Sequence, residues 1–393
     1  MLRLIGWFIY YVLLWPWRLA GLFVKYPDLS RLYRFPFGVF EAPNVVIEPT
    51  AACNLRCVDC YRGSNLPDKQ HAVMTLPEIK KYVDDALALR NFHTLSILGG
   101  EPLLYDQLDE VIAYAAGKCG SVGMYTNGVL LDEQRARKLK AAGLGSCYIH
   151  VDRHQGRGSD EDQIMRLRQQ YCDMFRALGG VNLSLGVTFH REDLPYLDQM
   201  VSLTRQNADV VKVVGLSLVG ASYLPRSTQL STFIHFLKES DQVDLFQRQM
   251  IKRIQEAFGI EYSAYLGSKF RPKVPGKIVA LSAYRQGKLL GSMTGEEFKA
   301  ATDAYFQEHG KYPYVLSREG FSAIGSHCRR FGDNVDWQLV AVSLSPLLLP
   351  ELAVNVCHTC MDCVLYQGHF VPMCVLEHVK QDNPVVLNSV RYW

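Results

Sequence analysis

Between residues 44 and 220 short β-rich runs alternate with amphipathic helical stretches, and most runs end in a polar motif. "NVVIEPT" (44–50) leads into a loop with three cysteines, "TLSILGG" (94–100) ends at Glu-Pro, and "VGMYTNG" (122–128) ends in a turn. "CYIHVD" (147–152), "LSLGVTF" (183–189) and "VVKVVGLSLVG" (210–220) continue the series. Helices are expected between them. One opens at a Thr75–Glu78 capping box with Ile79, Val83 and Leu87 on one face, and others cover Leu108–Ala116, Asp132–Ala142 and Gln163–Leu178. Six strands with intervening helices specify an α/β fold with a parallel sheet, a partial (β/α)6 TIM-like barrel. In such a sheet the C-terminal strand ends share one face, so the polar motifs that follow the strands converge there.

The alternation stops near residue 220. Residues 229–258 read as two helices broken near Ser240–Asp241, residues 270–350 are poorly patterned, and a cysteine-rich stretch begins at Cys357. Residues 221–393 are therefore expected to form a region that covers the barrel or closes over it.

The first 30 residues form another unit. Leu4 to Trp17 is apolar or aromatic without a charge, and Arg18, Lys25, Arg31 and Arg34 follow. A signal peptide would need a small-x-small cleavage site, which is missing, and a spanning helix of ~20 apolar residues would have to include Pro16 and Arg18. The tryptophans and tyrosines suit the headgroup level, and the basic residues keep the body of the protein on the cytoplasmic side. Residues 1–30 are thus expected to form a membrane-associated helix on the inner face of the membrane; the alternative is a helix buried on the domain. A formal charge of +3 gives no reason to expect nucleic acid.

Seven of the eleven cysteines fall in two clusters rather than a disulfide framework, as expected for metal or redox work in a reducing compartment. Cys53, Cys57 and Cys60 can hold three corners of a cubane [4Fe–4S] cluster, which leaves one iron open to a substrate or cofactor. Zinc with a distant fourth ligand is the alternative. Cys119, Cys147 and Cys172 fall in or beside barrel elements and are expected to be buried small hydrophobes.

"CNLRCVDC" resembles the C-x3-C-x2-C signature of the radical S-adenosylmethionine (radical SAM) superfamily. The resemblance implies that the open iron is chelated by S-adenosylmethionine and that reduction yields methionine and a 5′-deoxyadenosyl radical. It also implies cofactor contacts for Gly99, Gly100, Glu101 and Pro102 in "GGEP", for Tyr125 and Asn127 in "YTNG", and for Asp152 at the ribose. Gly99 and Gly100 permit close backbone approach, and Glu101 can accept from an ammonium. An aromatic residue often precedes the third cysteine in that superfamily; here the position is Asp59, with Tyr61 after Cys60. "IHVDRHQ" (149–155) makes His150 and His154 candidates for substrate contact, with a structural role as the alternative.

In "CHTCMDC" the thiols of Cys357, Cys360 and Cys363, with Cys374 beyond, offer four ligands; Cys328 is an alternative ligand. Overlapping C-x2-C steps suit a second, auxiliary [4Fe–4S] cluster better than zinc, whose pairs usually stand farther apart. The stretch resembles the auxiliary-cluster (SPASM or Twitch) extensions of radical SAM enzymes, with too few cysteines for the full SPASM pattern.

The expected activity is removal of hydrogen from an unactivated C–H bond, with a reductant such as flavodoxin or ferredoxin as partner. The anchor and the apolar stretch 339–354, read as a tunnel lining, point to an apolar substrate such as a membrane lipid; simple core is the alternative for that stretch. Two other readings stand: maturation of a peptide or protein, and a membrane-tethered iron–sulfur or zinc protein without turnover.

Overall fold

Strands made almost wholly of apolar and small residues must be covered on both faces. After a short strand, β1 (Tyr33–Arg34), six such strands follow: β2 (Asn44–Ile47), β3 (Thr94–Ile97), β4 (Ser121–Thr126), β5 (Ser146–His150), β6 (Asn182–Phe189) and β7 (Val211–Leu218). The structure, a computed structural model, describes residues 24–36, 38–58, 60–62, 72–157, 160–218, 230–350 and 353–390. The six strands pair in parallel in chain order. Between them run α1 (Leu76–Leu89), α2 (Leu108–Ala116), α3 (Glu133–Ala142), α4 (Glu161–Leu178) and α5 (Leu197–Gln206). The Thr75–Glu78 capping box forms as expected.

Register sorts the side chains. Ile47, Ile97, Met124, Cys147, Leu183 and Val211 form one in-register row, each 0% exposed, in the main core with the helices. The opposite row is small, with Ser96, Gly123 and Ser146 in register. That leaves the interior open to larger rings. Tyr148 fills part of it and stacks on Tyr125 with centroids 4.5 Å apart. A Cβ on Gly186 or on Gly215 would lie 2.0 Å from the Tyr148 side chain, so both positions must be glycine for this ring to fit.

The C-terminal half extends the same sheet. A single helix, α6 (Leu230–Phe258), runs without the break expected at Ser240–Asp241. The hydroxyl of Ser240 accepts from the backbone of Leu348 instead of competing with its own helix. Next come β8 (Ala264–Gly267), β9 (Pro275–Arg285), β10 (Lys288–Ser292), α7 (Gly295–His309), α8 (Arg318–His327) and β11 (Asp336–Ser343). Then follow β12 (Leu347–Leu349), β13 (Ala353–Asn355), β14 (Cys363–Tyr366), β15 (His369–Pro372), α9 (Leu376–Lys380) and α10 (Pro384–Val390). β11 lies parallel to β7 and antiparallel to β9, and β14 pairs with β2. The stretch 339–354 therefore contributes a buried wall strand and a small hairpin.

The ends of this sheet approach one another. Ser268 bridges to Cys357, Lys269 N–H donates to the Val356 carbonyl, and His358 N–H donates to the Gly267 carbonyl. The segment between β13 and β14 thus joins β8 to β2. At the N-terminal mouth, Arg318 donates to the Gly180 carbonyl, Asn91 donates to the Gly310 carbonyl, and Tyr305 meets His93 edge to face. α7 and α8 cover that end, so the C-terminal rim is the end left for chemistry.

Among the described residues no helix is long and apolar enough to cross a membrane. Residues 1–23 of the expected membrane-associated helix lie outside the described residues, and residues 29–31 form one 3-10 turn capped by Asp28.

Candidate active site

The cysteine loop leaves β2 and is pinned by the end of β3. Gly100 N–H donates to the Thr50 carbonyl at 2.8 Å, and Glu101 N–H donates to the Ala52 carbonyl at 2.7 Å. Gly99 has φ +126°, and a Cβ on Gly100 would sit 2.0 Å from the Ala52 oxygen. The glycines permit close approach, as expected, and here the partner is the backbone just before Cys53.

Glu101 is 0% exposed and works as a clamp. Its Oε1 accepts from Thr126 Oγ1 at 2.6 Å and from Leu103 N–H, and its Oε2 accepts from Asn127 N–H at 2.8 Å. Burial raises its carboxyl above the ordinary range, although these donors oppose the shift. Asn127 passes the connection on: its Nδ2 donates to Asn54 Oδ1 at 2.7 Å and approaches Cys53 Sγ at 3.9 Å. Pro102 is buried at the start of a 3-10 turn. Tyr125 points inward, its hydroxyl 3.1 Å from that of Tyr314.

Cys53, Cys57 and Cys60 are half-buried and within electrostatic reach of one another. Burial, with Cys60 and Asp152 nearby, pushes the Cys57 thiol up to about 12, and burial raises Cys53. Three clustered thiols are a donor set that a metal cluster would deprotonate.

Asp152 faces the loop from the other side. Burial alone would raise its carboxyl, but His150, Thr188 N–H and His154 N–H outweigh burial and hold it at about 2. His150 Nε2 lies 2.7 Å from Asp152 and 3.0 Å from Thr188 Oγ1, with its side chain 30% exposed. The His154 carbonyl accepts from Val58 N–H inside the cysteine loop, while its ring pairs with Asp193 rather than with these groups.

Arg157 was not expected here. It donates to the carbonyls of Asn127 and His150 and so ties the ends of β4 and β5 together. A loop arginine beside glycines carries no periodic signal. Arg62, also unexpected, pairs with Glu48 after β2 and with Glu377 in α9, each at 2.6 Å.

A second group of thiols gathers at the seam between the sheet ends. Cys363 Sγ donates to the Cys360 carbonyl at 3.2 Å, and Cys360 Sγ donates to the Asp362 carbonyl at 3.5 Å. Hydrogen bonding to Cys360 and burial raise Cys357, and burial raises Cys363. Cys374 is within electrostatic reach of Cys360 and lines one cavity with Cys357, Gln247, Ser268 and Gly276. A Cβ on Gly276 would lie 2.4 Å from Cys357 Sγ, so the glycine makes room for sulfur. Asp362, between two of these cysteines, holds Lys277 Nζ at 2.7 Å and accepts from Tyr314 and Asn44. Cys328 stands apart, its thiol 3.7 Å from Glu297. Cys147 and Cys172 are buried, as expected of small hydrophobes, whereas Cys119, expected to be buried too, is half-buried.

Residues 47–192 match the family model described as the radical SAM superfamily. "Fe-coproporphyrin III synthase" of Methanosarcina barkeri is 28% identical over 57% of this chain and 56% of its own length. "GTP 3',8-cyclase" of Synechococcus sp. is 35% identical over 33% of this chain and 38% of its own length. "Mycofactocin maturase MftC" of Mycolicibacterium smegmatis is 26% identical over 43% of each chain. Among solved structures, Streptococcus suis SuiB bound to S-adenosylmethionine aligns over 56% of this chain and 49% of that chain, with 15% identity and a TM-score of 0.39. The chain spans little more than half the length, or less, of these curated relatives. The chain thus carries a radical SAM superfamily domain over residues 47–192.

Proposed function

We propose that Cys53, Cys57 and Cys60 hold a [4Fe–4S] cluster whose open iron takes S-adenosylmethionine, and that the protein functionalises a C–H bond of a substrate carrying polar groups. One observation supports the placement most directly: Glu101 and Asn127 link the cysteine loop to the ends of β3 and β4, while the carbonyl of His154, whose own N–H is held by Asp152, binds its other side. When bound, the cluster supplies the electron that cleaves the sulfonium to methionine and a 5′-deoxyadenosyl radical. The protein's own work is positioning. Glu101 fixes the turn that presents Asn127, the buried Glu101 and Asp152 carboxylates make the rim favourable for a cation, and the interior keeps bulk water from the reacting carbon.

The interior below the rim favours a polar substrate over a lipid tail. Tyr125, Tyr148, Tyr314, Lys277 and Asp362 occupy it, and residues 339–343 serve as sheet wall. A peptide is the substrate class we favour, in keeping with one relative, a mycofactocin maturase. The second group of cysteines, Cys357, Cys360, Cys363 and Cys374, is proposed to hold an auxiliary cluster. The aromatic and basic residues 1–30 favour a membrane surface as the enzyme's location. Loss of vesicle co-flotation on deleting residues 1–23 would support that location, and unchanged flotation would refute it.

The experiment that tests the function is an anaerobic iron and sulfide count with an assay for 5′-deoxyadenosine under reduction. Wild type should carry about eight irons and a Cys53/Cys57/Cys60→Ala variant about four, with nucleoside formation abolished. Wild type without iron or without nucleoside would refute the proposal.

A further inference from the structure

A different set of ligand atoms lies on the same rim, outside the cysteine loop. His154 follows β5, while His190 and Asp193 follow β6. One atom from each, two ring nitrogens and a carboxylate oxygen, lies within 4.8 Å of both others. His154 Nε2 is 2.9 Å and His190 Nδ1 is 3.4 Å from Asp193 Oδ2, with the two rings 3.7 Å apart between centroids.

A carboxylate shared by two imidazoles could be a structural cap, but two features go further. Oδ2 already accepts from the His190 backbone N–H at 2.8 Å, while Oδ1 is buried and takes no hydrogen bond. A buried carboxylate oxygen in that condition is costly unless a cation neutralises it. The guanidinium at hand, Arg153, stands 3.6 Å from Oδ1, and its other contacts lie elsewhere, over the Tyr196 ring and toward Glu161.

We propose that His154, His190 and Asp193 form a site for a divalent metal ion of the two-histidine, one-carboxylate type. This donor set has no sulfur and suits Fe(II), Zn(II) or Mn(II). Three protein ligands leave positions for water or a substrate oxygen. The histidine side chains are 19% and 13% exposed, so an ion can enter from solvent. Occupancy would also immobilise His154, whose carbonyl holds Val58 within the cysteine loop. The metal site does not depend on what the cysteines carry.

Mn(II) is the probe of choice because it disfavours thiolate ligands and so avoids the cysteines. The full-length protein, purified anaerobically, is titrated with Mn(II) and the free ion is counted by electron paramagnetic resonance. Wild type should bind about one Mn(II) per chain. His190→Gln and Asp193→Asn should each weaken binding at least about ten-fold with iron content and Tm unchanged. Arg153→Gln removes a neighbouring positive charge and no ligand, so it should bind Mn(II) more tightly than wild type. That variant decides the question if the ligand variants do not fold. Lack of a stoichiometric site in wild type, equal binding by His190→Gln, or no tightening in Arg153→Gln would overturn the proposal.

Discussion

Arg62 donates to Glu377 across 2.6 Å and thereby joins the two cysteine-bearing parts of the chain. Arg62 lies two residues past Cys60, and Glu377 lies three past Cys374. The same guanidinium nitrogen also meets Glu48, so one cation bridges two largely buried carboxylates, with Lys380 as a second partner 3.0 Å from Glu377 and 3.6 Å from Glu48.

Arg62→Ala should therefore destabilise the protein by about 2–4 kcal/mol, because two carboxylates lose their shared partner and keep only Lys380. Urea denaturation measures it. A change below about 1 kcal/mol would mean that Lys380 compensates or water enters.

Gly100→Ala should displace the cysteine loop, since the new Cβ would meet the Ala52 oxygen at 2.0 Å and backbone has no rotamer to relieve it. The expected cost is about 1–3 kcal/mol, with iron per chain reduced by up to half. Iron retained at the wild-type level would show that the loop can shift without losing its ligands.

Asp152 gives a pH dependence of defined sign. Its folded pKa of about 2 lies below the ordinary 3.8, so the unfolded chain binds more protons between those values and stability rises with pH there. The contribution, roughly 2 kcal/mol, is complete above about pH 4 and is lost as pH falls toward 2. Asp152→Asn should be less stable than wild type at pH 7 and should converge with it near pH 2. Parallel stability curves for the two proteins would refute this assignment.

Lys277 and Asp362 make a buried pair inside the barrel. Lys277→Met alone should cost about 3–5 kcal/mol, as it leaves the carboxylate to Tyr314 and Asn44. The double variant with Asp362→Asn should recover much of that loss, and a double-mutant cycle measures the coupling. Additive single effects would mean that the pair contributes little beyond its separate hydrogen bonds.

The parallel core was legible because each of its strands is a dense local signal, and the rows Ile47–Ile97–Met124 and Ser96–Gly123–Ser146 follow from alternation once register is set. The cysteines and GGEP were legible because their spacing is tied to chemistry. What the sequence concealed was long-range. Nothing local announces that Lys277 will meet Asp362, that Arg62 will meet Glu377, or that β11 will join β7. The polar Ser240 suggested a break because its partner, the backbone of Leu348, is remote in sequence.

The seam at Cys357 also sets an order of events during synthesis. The strands that bind the first cysteine loop are complete by residue 218, while the segment that links β8 to β2 emerges only when nearly all of the chain has been made. Until then the ribosome-bound protein has an open flank between β8 and β2. Closure of the ring therefore waits for the segment around Cys357, among the last parts of the chain to be translated.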